Sequence, residues 1–527
     1  MRLTDRKDGE CADTRKWATL ILLGISLLLA LGILWPALKL ALLALSPEST
    51  ANVLTGYNLR ALRNTLGMGF AVATLATVLG FIVAYALEAT RAPGRAGLRT
   101  LYVLPLLAPS VMPATGLIYL IGSNGLLMQC ELYGALGVLL GSLVFALPQA
   151  VLQISASLAT MDNRLIDVAR SLGAGPVRRF LTVTLVQCRR GLANAFLVTF
   201  VLTVTDFGVP KLLGGSLPML ATEIYGQAVG SQNFAVAAIL SVWLLIPSLF
   251  AFWCLNRLSR EKQSSTRTAP RADAFRDRVA GTLAWGIVLA ESATILVVVW
   301  GSFVTFWPYV PDLTLENFAF KSSTYGITPW WNSLKLAFGV AVLGTFLSWL
   351  GAYAAVRAES FGWVKRLAAT LIALPLCIPG TVLGLGQALA FNGSPIFSGA
   401  LGGMALLVLS TLVHLYTVPS LSATTTLSAM NPSYEMVGRT LGVSTLGTIR
   451  RVVLPLSTSC LKENFTYLFA TAVTTISAVV FLYNPKTMVA AVAAIDLIDS
   501  GFISEGAAMC TLVFLSALVV RLLTLRR

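Results

Sequence analysis

Charge is scarce in this chain. Only 12% of its 527 residues are charged, and acidic residues number 23 against 38 Lys and Arg. A soluble domain carries about 25% charged residues, so a soluble enzyme of this length is not expected. Histidine occurs once, as His414. A metal site or proton relay needs companions that the neighbouring sequence does not supply, so His414 reads as a helix-packing residue. The seven cysteines, at 11, 130, 188, 254, 377, 460 and 510, form no C-x-x-C pair. On the topology given below only Cys130 falls in an outer loop, and no external disulfide is expected. No G-x4-G-K-[ST] run occurs, so the chain cannot hold a nucleotide by a P-loop of its own. Dyad alternation in ten-residue segments is missing too, which excludes an outer-membrane barrel. No Ser-His-Asp, Cys-His, zinc or paired-carboxylate spacing is present, and no catalytic chemistry is expected.

What the chain has is apolar length. Hydrophobic residues make up 56% of it and its mean hydropathy is +0.79. A membrane span needs about 20 mostly apolar residues, and such runs recur along the sequence. The fold class expected is all-α and polytopic, with about 12 spans near 17–45, 66–90, 101–122, 135–160, 192–210, 235–255, 281–307, 332–357, 366–391, 400–428, 462–483 and 505–523. The first run is too long for a cleaved signal peptide. Loops on one side of these spans collect 31 of the 38 Lys and Arg. Positive loops stay in the cytoplasm, so both termini are expected there. This bias accounts for the excess positive charge without a nucleic-acid partner.

The segment 256–280 is polar and rich in Ser, Thr, Lys and Arg, and reads as a cytoplasmic linker between a six-span half at 1–255 and another at 281–527. The halves repeat. Asn64-Thr65-Leu66 matches Asn332-Ser333-Leu334 at an offset of 268, Leu104-Pro105 and Pro109 match Leu374-Pro375 and Pro379 at 270, and Leu172-Gly173 matches Leu441-Gly442 at 269. Six spans per half place both repeats in one orientation, with a substrate path expected between them.

One cytoplasmic loop occurs twice, from Met161 to Val186 and from Met430 to Leu456. Each reads as a short capped helix. Asp162 and Asn431 are good N-caps, Pro432 suits the first helical position, and Gly173 and Gly442 follow eleven residues after the caps, where a left-handed residue ends a helix. Such a pair suits presentation to a cytoplasmic partner.

The spacing resembles the E-A-A-x3-G-x9-I-x-L-P loop of permeases in binding-protein-dependent ABC importers. Asp167-Val168-Ala169 stands for E-A-A, Gly173 for the glycine, and Val183, Leu185 and Val186 for the end of the motif. In the second copy Met436-Val437-Gly438 precedes Gly442, and Val452-Val453-Leu454-Pro455 closes it. Val186 departs from the proline and Met436 from the acid, with Glu435 one place early. The resemblance implies a MetI-like permease fold in a bacterial inner membrane, and two coupling helices docked on a cytoplasmic ABC ATPase dimer. Asp167, Ala169, Gly173, Glu435, Gly438, Gly442, Leu454 and Pro455 would carry that contact. It also implies that ATP is bound by the partner, that this chain needs no cofactor, and that a periplasmic binding protein delivers a small polar solute. TDFGVPKLLGG (Thr205–Gly215), ISAVVFLYNP (Ile476–Pro485) and LPLLAPSVMPA (Leu104–Ala114) are similar to fused two-half permeases for ferric iron, thiamine and phosphonates, above all 2-aminoethylphosphonate. Polyamines remain an alternative solute.

Proline pairs at Pro105 and Pro109, and at Pro375 and Pro379, are expected to break spans three and nine and to line or gate the path. Asp206 has two readings, as a carboxylate for a cationic solute group or as a cap on the turn at Gly208-Val209-Pro210; its repeat counterpart is near Ser477. Asp496, Asp499 and Glu505 read as a solvated outer loop, or as part of a surface for a binding protein. The competing class is an ion-coupled secondary transporter, which would bury ionisable groups midway in several spans and has no use for the duplicated loop.

Overall fold

A computed structural model describes residues 2–46, 53–259, 273–357, 362–391, 393–394, 397, 399–431 and 433–525. Pro432 and most of the linker lie outside the described residues. Helices continue into both ends of the linker, through Ser259 and from Ala274.

The architecture is helical, with a single two-stranded ribbon among the described residues. Among the described residues, eight helices are long and apolar enough to cross a membrane: Lys16–Ala44, Gly56–Glu88, Ala135–Leu158, Pro176–Thr205, Phe234–Leu258, Ala274–Gly301, Thr328–Val356 and Ile503–Thr524. Three further pairs bend sharply, and counting each as one span gives eleven. The eleventh expected span, 462–483, is helical only over Thr458–Val473 and continues as turns. Irregular backbone at membrane depth is tolerated where protein covers it. Here Ala478 and Val479 are fully buried, and the Ser410 hydroxyl donates to the Ala478 carbonyl at 3.2 Å.

The chain packs as two compact units. One comprises Met1–Leu45, Thr328–Ala490 and Leu515–Arg527; the other comprises Ser46–Ile327 and Ala491–Phe514. The first helix of the sequence therefore packs among elements of the second repeat. Ala18 and Leu22 are buried with Ala354, Val364 and Ala368. A π-helical turn at Ala30–Leu34 leaves the Gly32 carbonyl to accept from Gln387 Nε2 at 2.8 Å. In the other unit, Ala274–Gly301 packs among elements of the first repeat. Trp285 lies over Gly94 and donates to the Pro93 carbonyl at 3.2 Å. Gly116 lies so close to the Thr294 carbonyl that no side chain fits between them.

Within each unit the repeated Asn-Thr/Ser pair has the same task. The Thr65 hydroxyl accepts from the Leu220 amide at 2.9 Å, and the Ser333 hydroxyl from the Ala490 amide at 2.8 Å. Asn64 donates to the Pro218 carbonyl, and Asn332 to those of Lys486 and Met488. Each pair caps the short helix that precedes the last span of its repeat, Leu220–Tyr225 or Ala490–Asp499.

Candidate functional site

The duplicated loop folds alike in both copies. The first loop helix is Arg164–Ser171 and the second is Ser433–Thr440. Asp162 accepts from the Arg164 amide at 2.9 Å, and Asn431 accepts from the Ser433 amide at 3.0 Å, so both side chains act at the helix starts. Gly173 and Gly442 take φ of +76° and +71°. The Ala174 amide then bonds back to the Ala169 carbonyl at 3.0 Å, and Val443 to Gly438 at 2.9 Å. These six-to-one bonds are Schellman closures, which satisfy carbonyls left free at a helix end. Each loop re-enters the membrane through a π-helical turn at equivalent positions, Phe180–Thr184 and Ile449–Val453. Leu185 opens the next helix in the first copy; Leu454 and Pro455 open a short helical turn in the second.

The two loops expose the same apolar pattern. Leu165, Val168, Leu172 and Val177 are exposed in one copy; Tyr434, Val437, Leu441 and Leu446, each 269 residues later, are exposed in the other. Positions i, i+3 and i+7 share one helix face, so each loop helix carries an apolar stripe that the described chain does not cover. Unlike the caps and glycines, this stripe is not among the expected features of the loops, although its i, i+3, i+7 spacing is visible in the letters.

The copies differ in how the inner face is held. Ile166 packs against an apolar cluster whose buried members include Ala89. Their counterparts, at offsets of 269 and 268, are Glu435 and Arg357. The Arg357 side chain is 7% exposed, its Nε lies 3.8 Å from Glu435 Oε1, and its guanidinium donates to the Leu427 and Met430 carbonyls at 2.7 and 2.6 Å. Two positions that are apolar in one repeat thus carry an ion pair in the other. This places Glu435 on the inner face, while Met436 takes the exposed position held by Asp167 in the first copy. Gly438 lies against the Thr448 hydroxyl, 2.5 Å from where a Cβ would be, whereas the first copy has Ala169 there. In the first loop, Gln187 Oε1 accepts from the Asp162 amide at 3.0 Å.

The proline pairs mark two matched breaks. Arg95–Leu107 and Val111–Ile121 meet at 108°, and Gly362–Leu376 and Gly380–Phe391 meet at 111°. Pro105 and Pro375 sit in 3-10 turns just before these breaks, with Pro109 and Pro379 inside them. The Asp206 carboxylate accepts from the Val209 and Gly208 amides at 3.0 and 3.4 Å and from the Ser110 hydroxyl. It therefore caps the helix Gly208–Leu213, and a solute would compete with these bonds. In the other repeat Gly380 stands for Ser110, and it packs directly on the Ser477 hydroxyl.

Two further groups bear on the competing class. Glu291, not singled out from sequence, is 3% exposed near the middle of Ala274–Gly301, and its Oε1 has no hydrogen-bond partner among the described residues. Its signal was a lone carboxylate in a long apolar run. His414 is half-buried near the end of Gly399–Leu415, and its buried Nδ1 has no partner among the described residues. No group of three His, Cys, Asp or Glu that could hold a metal ion occurs among the described residues.

The family described as a binding-protein-dependent transport system inner membrane component matches this sequence twice, over residues 76–261 and 347–526. The ferric transport system permease protein FbpB of Actinobacillus pleuropneumoniae is 27% identical over 485 residues, covering 86% of this chain and 69% of that protein. The thiamine transport system permease protein ThiP of Brucella abortus (strain 2308) is 28% identical over 367 residues, 66% of each chain. The molybdenum transport system permease protein ModB of Azotobacter vinelandii is 27% identical over 221 residues, covering 40% of this chain and 97% of that protein.

Proposed function

This chain belongs to the family of binding-protein-dependent transport system inner membrane components, and from that premise we propose that its two loop helices dock on the two subunits of a separate cytoplasmic ATPase. The observation that carries this reading is the pair of exposed apolar stripes at matched positions, each on a helix with the same cap and the same left-handed glycine. The chain is a multi-pass permease of an ABC importer. Its basic loops, and both termini, face the cytoplasm on the positive-inside argument. ATP binding closes the ATPase dimer and carries the loop helices with it. The broken spans at Pro105, Pro109, Pro375 and Pro379 then change the opening of the path. The driving force is the difference in ATPase contacts between the two states. In the first contact Asp167 lies on the exposed face, with Ala169 and Gly173 shaping its helix; in the second, Gly438, Gly442, Leu454 and Pro455 shape the loop, and Glu435 holds the helix from its inner face through Arg357. Asp206 holds the turn that follows span five, and its counterpart Ser477 packs on Gly380 at the matched break.

The solute we assign is 2-aminoethylphosphonate or a close phosphonate, delivered by a periplasmic binding protein. The support is the resemblance of TDFGVPKLLGG and ISAVVFLYNP to permeases for that solute. Ferric iron is the second reading, favoured by the likeness to a ferric permease over 86% of the chain. Uptake of labelled 2-aminoethylphosphonate, measured with and without this gene, tests the first. Loss of ATP-dependent uptake on deletion is expected. Unchanged phosphonate uptake together with lost ferric uptake would transfer the assignment to iron.

A further inference from the structure

The segment between Ala274–Gly301 and Thr328–Val356 lies outside both family-matched regions. It holds the ribbon, with Val304–Phe306 paired to Val310–Leu313. The connector at the same place in the first repeat, 45–55, is much shorter. The ribbon is well fastened. Asn317 donates to the Ser302 and Val304 carbonyls at 3.0 and 2.7 Å, the Thr314 amide donates to the Phe303 carbonyl at 2.7 Å, and Thr305 donates to the Asp312 carbonyl at 2.9 Å.

Its turn is aromatic, and it folds back on the helices instead of standing clear of them. Trp307 packs edge-on against Trp300, in the last turn of the preceding helix, with ring centroids 5.2 Å apart. It packs at 5.1 Å against Tyr119 of Val111–Ile121. Gly301 makes room for the Tyr119 ring: a Cβ there would lie 2.7 Å from it. On either side of Trp307, Phe306 and Tyr309 stack on each other at 5.7 Å, and both are exposed, Tyr309 at 70%. The same helix already presents Leu283, Leu289, Leu296 and Trp300 as exposed apolar residues. The aromatic turn extends that surface at the level of the helix's last turn.

We propose that this turn lies in the bilayer interface at the Gly301 end of the helix, with Phe306 and Tyr309 against lipid as an anchor that fixes the helix's depth. Amphipathic rings concentrate at that level because one part of the ring is apolar and its rim tolerates headgroups and water. Trp307 ties this turn to Trp300 and Tyr119, which holds its rings beside the apolar surface of the helix's last turn. The segment carries three charges: Glu316 and Lys321 pair with each other at 3.2 Å and are well exposed, as residues in water are, and Asp312 is exposed on the second strand of the ribbon, where a carboxylate can reach the headgroups and water.

The test places a small fluorescent amino acid at Tyr309 in the full-length chain in lipid nanodiscs, with Lys321 as the aqueous reference. Quenching by lipid carrying a spin label near the headgroup is compared with quenching by iodide. The label at 309 is expected to lose fluorescence to the lipid quencher and to resist iodide, and the label at 321 to do the reverse. A label at Phe306 makes the same prediction, so one badly folded variant does not decide the outcome. If 306 and 309 behave like 321, the proposal is wrong. If they resist iodide only after a periplasmic binding protein is added, the surface belongs to that protein and the proposal is equally wrong. The depth is read without ATPase or solute, so it stands or falls apart from the transport function.

Discussion

Gly173 and Gly442 carry the left-handed turns that close the loop helices. A residue with a Cβ pays about 1–2 kcal/mol there, and a β-branched one more, while space beside both glycines is open. Gly173→Val with Gly442→Val should therefore insert normally yet lose ATP-dependent uptake, with the double Ala variant intermediate. Full transport by the Val pair would show that the closures are dispensable. Arg357 is another matter, because it holds two carbonyls and Glu435 from a buried position. Arg357→Ala would leave those acceptors unpaired at about 1–3 kcal/mol for each buried group. Lower thermal stability is expected, and Lys should rescue poorly because it lacks the planar fork. The caps and glycines of these loops were legible in the sequence because local hydrogen bonding fixes them. The Arg357–Glu435 pair was not, since its partners are far apart in the chain and its counterpart, Ala89 with Ile166, is apolar.

At the scale of elements, the apolar stripes on the two loop helices lie on exposed surface. Changing exposed residues alters stability by only about 0.5 kcal/mol, so a charge placed there reads contact with a partner and not folding. Leu172→Glu or Leu441→Glu alone should weaken ATP-driven uptake, and the pair should abolish it with the melting temperature unchanged. A large drop in melting temperature would mean that the stripe is internal packing. Hydropathy located nearly every apolar segment but could not tell a straight span from a broken one. The proline pairs do mark two of the breaks in the letters, but the angles of 108° and 111° are not legible there. Span eleven is helical only in its first part, because its second part is buried against protein, where helix is not obligatory.

At the scale of the molecule, each compact unit draws on both sequence halves, with Met1–Leu45 in one and Ala491–Phe514 in the other. The sequence repeat and the packing boundary therefore do not coincide. Periodicity shows which residues correspond, not which helices touch. A chain divided within the linker, coexpressed as 1–265 and 266–527, should still copurify as a pair, because these exchanged segments tie the pieces together. Recovery of each piece alone would contradict the packing described. If the two loops of this permease each engage a subunit of a separate ATPase, ATPase recovery with purified permease from coexpressing cells depends on both. The wild-type chain is predicted to bring down two ATPase subunits per permease chain, and the Leu172→Glu/Leu441→Glu variant to bring down none. Equal recovery with both proteins would contradict that engagement.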